Sequence, residues 1–251
     1  MERGFITAGT FISLLIFTGL LQGQYEVIGG EMVLETEHFI IQVYEEEPDY
    51  LYDLVESLES NYVFIVTSLQ MGKNIPKTVV KVYPTIEEFH KGVNMEGSPN
   101  WVLGTISDNN EFSMASPLSP NLPVSYQEMT EKLPVHEFTH VMVHNIVDPR
   151  EIPYWLWEGI SLYMAGQRAD LARLDSLQED KFPSFEELNS IPNSFQFGYS
   201  LVEYITETWG IQTLKEFLQN RGDIEATYGT SEDNFWKGWQ SFVNSEYLAG
   251  K

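Results

Sequence analysis

His136-Glu137-Phe138-Thr139-His140 sets two imidazoles four residues apart, with a carboxylate directly after the first. On a helix, residues four apart lie one turn above each other, so both rings can aim at one metal ion while Glu137 projects beside them. Eighteen residues after His140 comes another carboxylate, Glu158, in Trp155-Leu156-Trp157-Glu158-Gly159. Zinc held by two histidines and one carboxylate keeps a fourth position open for water, and a free carboxylate next to that water can take its proton. The residue types and spacing are those of hydrolytic machinery.

The pentad sits in an apolar run, Leu133 to Ile146, that predicts a buried helix. The bland alternative is a core helix whose histidines are satisfied by hydrogen bonds. A site of the H-E-x-x-H-x-x-G-x-x-H kind is excluded, because Val143 and Ile146 stand where its glycine and third histidine belong. His144 continues the i, i+4 stripe but lies roughly 12 Å of helix rise from His136, too far for three rings to meet one ion. Glu158 is the stronger third ligand. Asp148-Pro149-Arg150-Glu151-Ile152-Pro153 reads as a helix stop, a loop and a new start, so a helix from Pro153 to about Ala165 can fold back and bring Glu158 to the metal. Gly159 removes a side chain where these two helices need close approach.

The two motifs together resemble the paired signature of gluzincin metallopeptidases, especially the peptidase MA-like family. The second motif is Pro153-Tyr154-Trp155-Leu156-Trp157-Glu158-Gly159-Ile160-Ser161-Leu162-Tyr163. The resemblance implies that His136, His140 and Glu158 bind one zinc ion per chain and that Glu137 is the general base. It continues more loosely through Ser194 to Ile205, Trp209-Gly210, Tyr228-Gly229 and Phe235 to Trp239, with Ser194, Phe195 and Gly198 as departures. Related enzymes often place a tyrosine or histidine against the tetrahedral oxyanion. Phe195 has no hydroxyl to give, so Tyr199 is the candidate and Tyr204 the runner-up. Leu162 stands where some gluzincins carry a carboxylate that orients a ligand, which leaves the partners of His136 and His140 open.

The elements that must position this chemistry predict an α+β fold. His38 to Tyr44 and Lys77 to Tyr83 alternate as strands, separated by a helical stretch from about Pro48 to Met71. Thr85 with Glu88 makes a capping box for a short helix through His90. His38 and His90 lack metal spacing and read as structural. Trp101 to Ile106 and Glu111 to Ala115 are further strands around the turn Ser107-Asp108-Asn109-Asn110. Ser113-Met114-Ala115 is either the substrate-pairing edge that the resemblance implies or an ordinary internal strand. A second capping box, Ser125 to Glu128, starts the catalytic helix upstream, and Pro134 then kinks or splits it. Gln178 to Asn193, with Pro183 and Pro192, reads as a largely irregular connection. Helices follow over Tyr199 to Thr208, Ile211 to Asn220 and Ser231 to about Tyr247. The expected organisation is a leader at 1–24 and a metallopeptidase domain at 25–251. Within it, 25–122 is a mixed sheet with helices, 123–167 a zinc helix pair and 168–251 a helical lobe.

The uncharged stretch from Phe5 to Leu21 reads as the apolar core of a signal peptide, cleaved near Gly23 or retained as a membrane tether. An exported bacterial protein, secreted or anchored at the outer face of the membrane, fits it. The absence of cysteine excludes disulfides, zinc-thiolate sites and a lipoprotein anchor. A net charge of −23, spread along the chain, repels phosphate backbones and excludes nucleic acid as a partner. These carboxylates form solvated faces or favour basic peptides. The function expected is zinc-dependent hydrolysis of peptide or protein substrates, with a catalytically inactive zinc-bearing binding module as the alternative.

Overall fold

The computed structural model describes residues 11–12, 24–28, 31–45, 48–108, 110–178 and 181–249. The expected leader at 1–24 lies outside them except for Phe11, Ile12 and Gln24, as do the charged residues Glu46, Glu47, Glu179 and Asp180. Among the described residues no helix is long and apolar enough to cross a membrane. The fold is α+β, and the chain divides into two compact units, residues 1–60 with 75–134 and residues 61–74 with 135–251.

The first unit is built on a mixed sheet. Its strands are β1 (Phe11–Ile12), β2 (Gln24–Ile28), β3 (Glu31–Glu35), β4 (Phe39–Val43), β5 (Thr78–Tyr83), β6 (Gly104–Asp108) and β7 (Glu111–Ala115), in the order β1-β2-β3-β4-β5-β7-β6. β4 runs parallel to β5 and β5 parallel to β7, while the other pairs are antiparallel. Parallel neighbours need a crossover. Between β4 and β5 it contains α1 (Leu51–Ser68), and after β5 it contains α2 (Ile86–Gly92). Alternation places Phe39, Ile41 and Val43 of β4, with Val80 and Val82 of β5, in the core. The Thr85 cap of α2 is present, accepting from the Glu88 amide at 3.1 Å.

β7 answers the question the sequence left open. It is bonded to β5 on one side and β6 on the other, and Phe112, Ser113, Met114 and Ala115 are all buried. It is therefore an internal strand with no free ladder groups for a substrate, and β6 forms that edge of the sheet. His38 donates its amide to Glu59 and holds the same carboxylate through Nδ1 at 2.6 Å, while His90 Nε2 lies 2.8 Å from the Val102 carbonyl. Both histidines serve the fold.

The second unit is helical. α3 (Leu133–His144) and α4 (Tyr154–Met164) are followed by α5 (Asp175–Gln178), α6 (Phe185–Leu188), α7 (Ile191–Trp209), α8 (Leu214–Gln219), α9 (Ile224–Tyr228) and α10 (Glu232–Val243). The connection expected to be irregular contains α6, opened by a capping box between Ser184 and Glu187. α7 begins at Ile191, well before Tyr199. Pro192 falls in its first turn, where no intrahelical partner for the missing N–H is needed, so this proline starts a helix. Gly210 ends α7 at φ 92°.

α4 packs against α7 through two glycines. A Cβ on Gly159 would stand 2.6 Å from the Gly198 carbonyl oxygen, and one on Gly198 would stand 2.9 Å from Gly159 Cα. The close approach that Gly159 serves is therefore to α7, not to the helix carrying the histidines. Gly198, a departure from the resembled pattern, is its counterpart.

Candidate metal centre

The chain passes through a π-helical turn, Glu128–Lys132, directly into α3. The Glu128 amide bonds Ser125 Oγ at 3.1 Å, as the expected cap requires. Pro134 follows at once, and a wide turn upstream accommodates a residue that cannot donate. The helix is thus neither split nor restarted. Val135 through Val143 are all buried, which brings His136, Glu137 and His140 out of solvent together.

The loop after α3 folds locally. Asp148 caps a single 3-10 turn, Pro149–Glu151, by accepting from the Arg150 amide at 2.9 Å, and Pro153 then opens α4. Glu158 meets both histidines. Its Oε2 lies 3.4 Å from His136 Nε2 and 3.6 Å from His140 Nε2, and the three side chains can each offer a ligand atom within 4.8 Å of one another. Two ligand atoms of a tetrahedral zinc ion are separated by roughly 3.4 Å, so these spacings suit an ion between them. Glu158 Oε2 is also a buried oxygen with no hydrogen-bond partner, the kind of atom a cation would satisfy. These three residues could hold a metal ion. His144 stands outside the group.

The surrounding contacts fix the rings. His136 Nδ1 donates to Gln167 Oε1 at 2.7 Å, and His140 Nδ1 lies 2.9 Å from Ser161 Oγ. Trp157 stacks on the His140 ring at 4.1 Å between centroids. Burial and the like-charged Glu158 push the Glu137 carboxyl up to about 7, against the pull of His136. Burial, then His136, takes His140 down to about 4. Burial opposes ionisation of Glu158, yet the His136 and His140 imidazoles facing it hold its carboxyl well below the usual range. His136 goes the other way: burial disfavours its charge, but Glu158 and Glu137 outweigh it and raise its pKa.

The tyrosines divide clearly. The Tyr199 ring meets Tyr163 at 5.4 Å, and after burial its electrostatic neighbours are Glu203, Tyr163 and Arg168. Tyr204 packs among Trp209, Phe235 and Phe242. Tyr154 is different. It stands one turn before Glu158 on α4, and burial followed by the Glu158 carboxylate, with Glu137 adding to them, raises its hydroxyl well above the usual phenol range. Sequence reasoning passed over Tyr154, Ser161 and Gln167. The first two carry a signal, since they lie four before and three after Glu158 on one helix; Gln167 lies beyond the helix end and carries none.

No protein-family model matches the chain, and no curated protein matches it significantly. The likeness to gluzincins rests on the residues of the motifs.

Proposed function

We propose that the protein is an exported zinc-dependent peptidase of gluzincin type, with His136, His140 and Glu158 as ligands and Glu137 as general base. The observation that carries the reading is the buried ligand group with its unpaired Glu158 oxygen, next to a carboxyl poised near neutrality. A zinc ion there would supply Lewis-acid chemistry, acidifying water and polarising a peptide carbonyl. Glu137 takes the proton of the attacking water and returns it to the leaving amine. A carboxyl that burial raises suits both transfers, because it gains and loses a proton at more nearly similar cost than a free carboxylate. Ligation by Glu158 is compatible with its depressed pKa, since it stays ionised wherever Glu137 titrates.

For the donor to the developing oxyanion, the surroundings favour Tyr154 over Tyr199. The Tyr154 hydroxyl has both site carboxylates among its neighbours, whereas those of Tyr199 are Glu203 on α7, Tyr163 near the far end of α4 and Arg168 beyond it. The uncharged stretch 5–21 supports export, and the net charge of −23 supports a peptide rather than a nucleic-acid substrate.

Exposure of the zinc-loaded chain to a mixed peptide library, with products read by mass spectrometry, tests the reading. Cleavage is expected for the wild type, at a rate about 100- to 10,000-fold lower for Glu137→Gln with zinc retained. Tyr154→Phe should slow turnover and Tyr199→Phe should not. A zinc-loaded wild type that cuts nothing would remove the peptidase reading and leave a non-catalytic metal-bearing module.

A further inference from the structure

A histidine that ligates through Nε2 carries its proton on Nδ1, and what that proton meets sets the tautomer and the aim of the ring. In metal sites the acceptor is frequently a carboxylate. Here both groups that face Nδ1 are neutral: the Gln167 amide oxygen for His136 and, for His140, the Ser161 hydroxyl, which accepts when Nε2 ligates. Leu162, four residues after Glu158, is apolar and offers no acceptor to either ring.

The position of Gln167 is built by the end of α4. Gly166 takes the left-handed conformation at φ 64° and its amide bonds the Tyr163 carbonyl, while the Gln167 amide reaches back to Leu162. This closing turn reverses the chain, which is why a residue beyond the helix can face a histidine on α3. The next residue is held as well. The Arg168 guanidinium lies 4.1 Å over the Tyr247 ring and 3.4 Å from Glu203 on α7. Tyr247 in turn donates to Glu203. Gln167 is therefore pinned on both sides, by a glycine turn before it and a cation-aromatic contact after it. Ser161 needs no such device, since it lies fully buried on α4 itself.

We infer that Gln167 and Ser161 are the positioning residues of the metal site, uncharged acceptors that hold both histidines with Nε2 aimed at the ion. The inference rests on the metal-centre reading above. Its chemical consequence is a site whose single negative ligand is Glu158. A carboxylate behind each imidazole would make the ring a stronger donor and neutralise more of the ion's charge; neutral acceptors leave more of that charge to act on substrate.

The test is zinc affinity of the full chain, measured by competition with a chromophoric chelator, alongside melting of the metal-free protein. Gln167→Leu should weaken zinc binding about 10- to 100-fold with metal-free melting unchanged, and Ser161→Ala should weaken it in the same direction. Gln167→Glu, which still accepts a proton at the same place, should bind at least as tightly as wild type. In the zinc-loaded wild type the His136 Nδ1 proton should appear as a slowly exchanging downfield resonance, present in Gln167→Glu and lost in Gln167→Leu. Wild-type affinity in Gln167→Leu, or equal weakening in Gln167→Glu, overturns the positioning role while the metal reading stands. A wild type that takes up no zinc overturns both.

Discussion

Two clusters buried in the second unit differ in what burial does to them. Around Trp239 the chain gathers rings: Phe197 at 5.8 Å, Phe182 at 5.5 Å and Trp236 at 4.9 Å, while the indole N–H donates to Ser200 Oγ at 3.1 Å. Large apolar area leaves water and the indole donor is paired, so burial stabilises. Around Glu158 the residues are as deeply buried but ionisable, an oxygen is left without a partner, and Glu137 and His140 are driven to about 7 and about 4. Here burial works against stability and sets proton affinities instead. The two glycines between α4 and α7 lie where these regions adjoin in sequence and contact, with Gly198 next to Phe197 and Gly159 next to Glu158.

The contrast breaks most sharply at Trp239. Trp239→Ala should cost about 3–5 kcal/mol of stability in denaturant unfolding, the range for emptying a large aromatic site. Zinc affinity of the molecules that remain folded should be unchanged. If affinity fell in proportion to stability, the clusters would be one cooperative unit and the separation drawn above would fail.

Gly198→Ala sharpens the comparison by striking both clusters. Its methyl would press on backbone that has no flexible side chain to yield, so a loss of about 1–3 kcal/mol is expected. Because α4 must shift to make room, zinc affinity should fall too. A variant as stable as wild type with unchanged affinity would show that the helix contact is loose.

The smallest effect is the pH response, which only the ionisable cluster should show. Glu137 must be ionised to accept a proton, and its carboxyl titrates at about 7. A bound zinc ion lowers that value, so turnover of the zinc-loaded chain should fall about tenfold for each pH unit along an acid limb lying below 7 and level off above it, as kcat/KM measured across the acid to neutral range will show. A flat acid limb would remove Glu137 as the titrating base.

The group of His136, His140 and Glu158 was legible because its information is local. His136 and His140 are one helical turn apart, and the proline-marked loop before Tyr154 announces the return of Glu158. Strands β4, β5 and β7 were legible for a similar reason, their alternation being visible residue by residue. Strand order was not, because the flanking of β7 by β5 and β6 is a pairing between distant segments that no window of sequence displays. The partner of Gly159 was hidden in the same way, since Gly198 lies on α7. Pro192 misled because proline ends helices and also begins them, and only the backbone distinguishes the two. Gln167 reaches His136 through a left-handed glycine turn whose direction the sequence does not state.

Equilibrium dialysis of the wild-type chain against zinc, with His140→Ala and Glu158→Gln beside it, tests the central claim most directly. One ion per wild-type chain is expected, with binding lost in His140→Ala and weakened in Glu158→Gln, because those side chains converge on one buried space. A wild type purified without chelator that takes up no zinc, or a His140→Ala variant that binds as well as wild type, would contradict it.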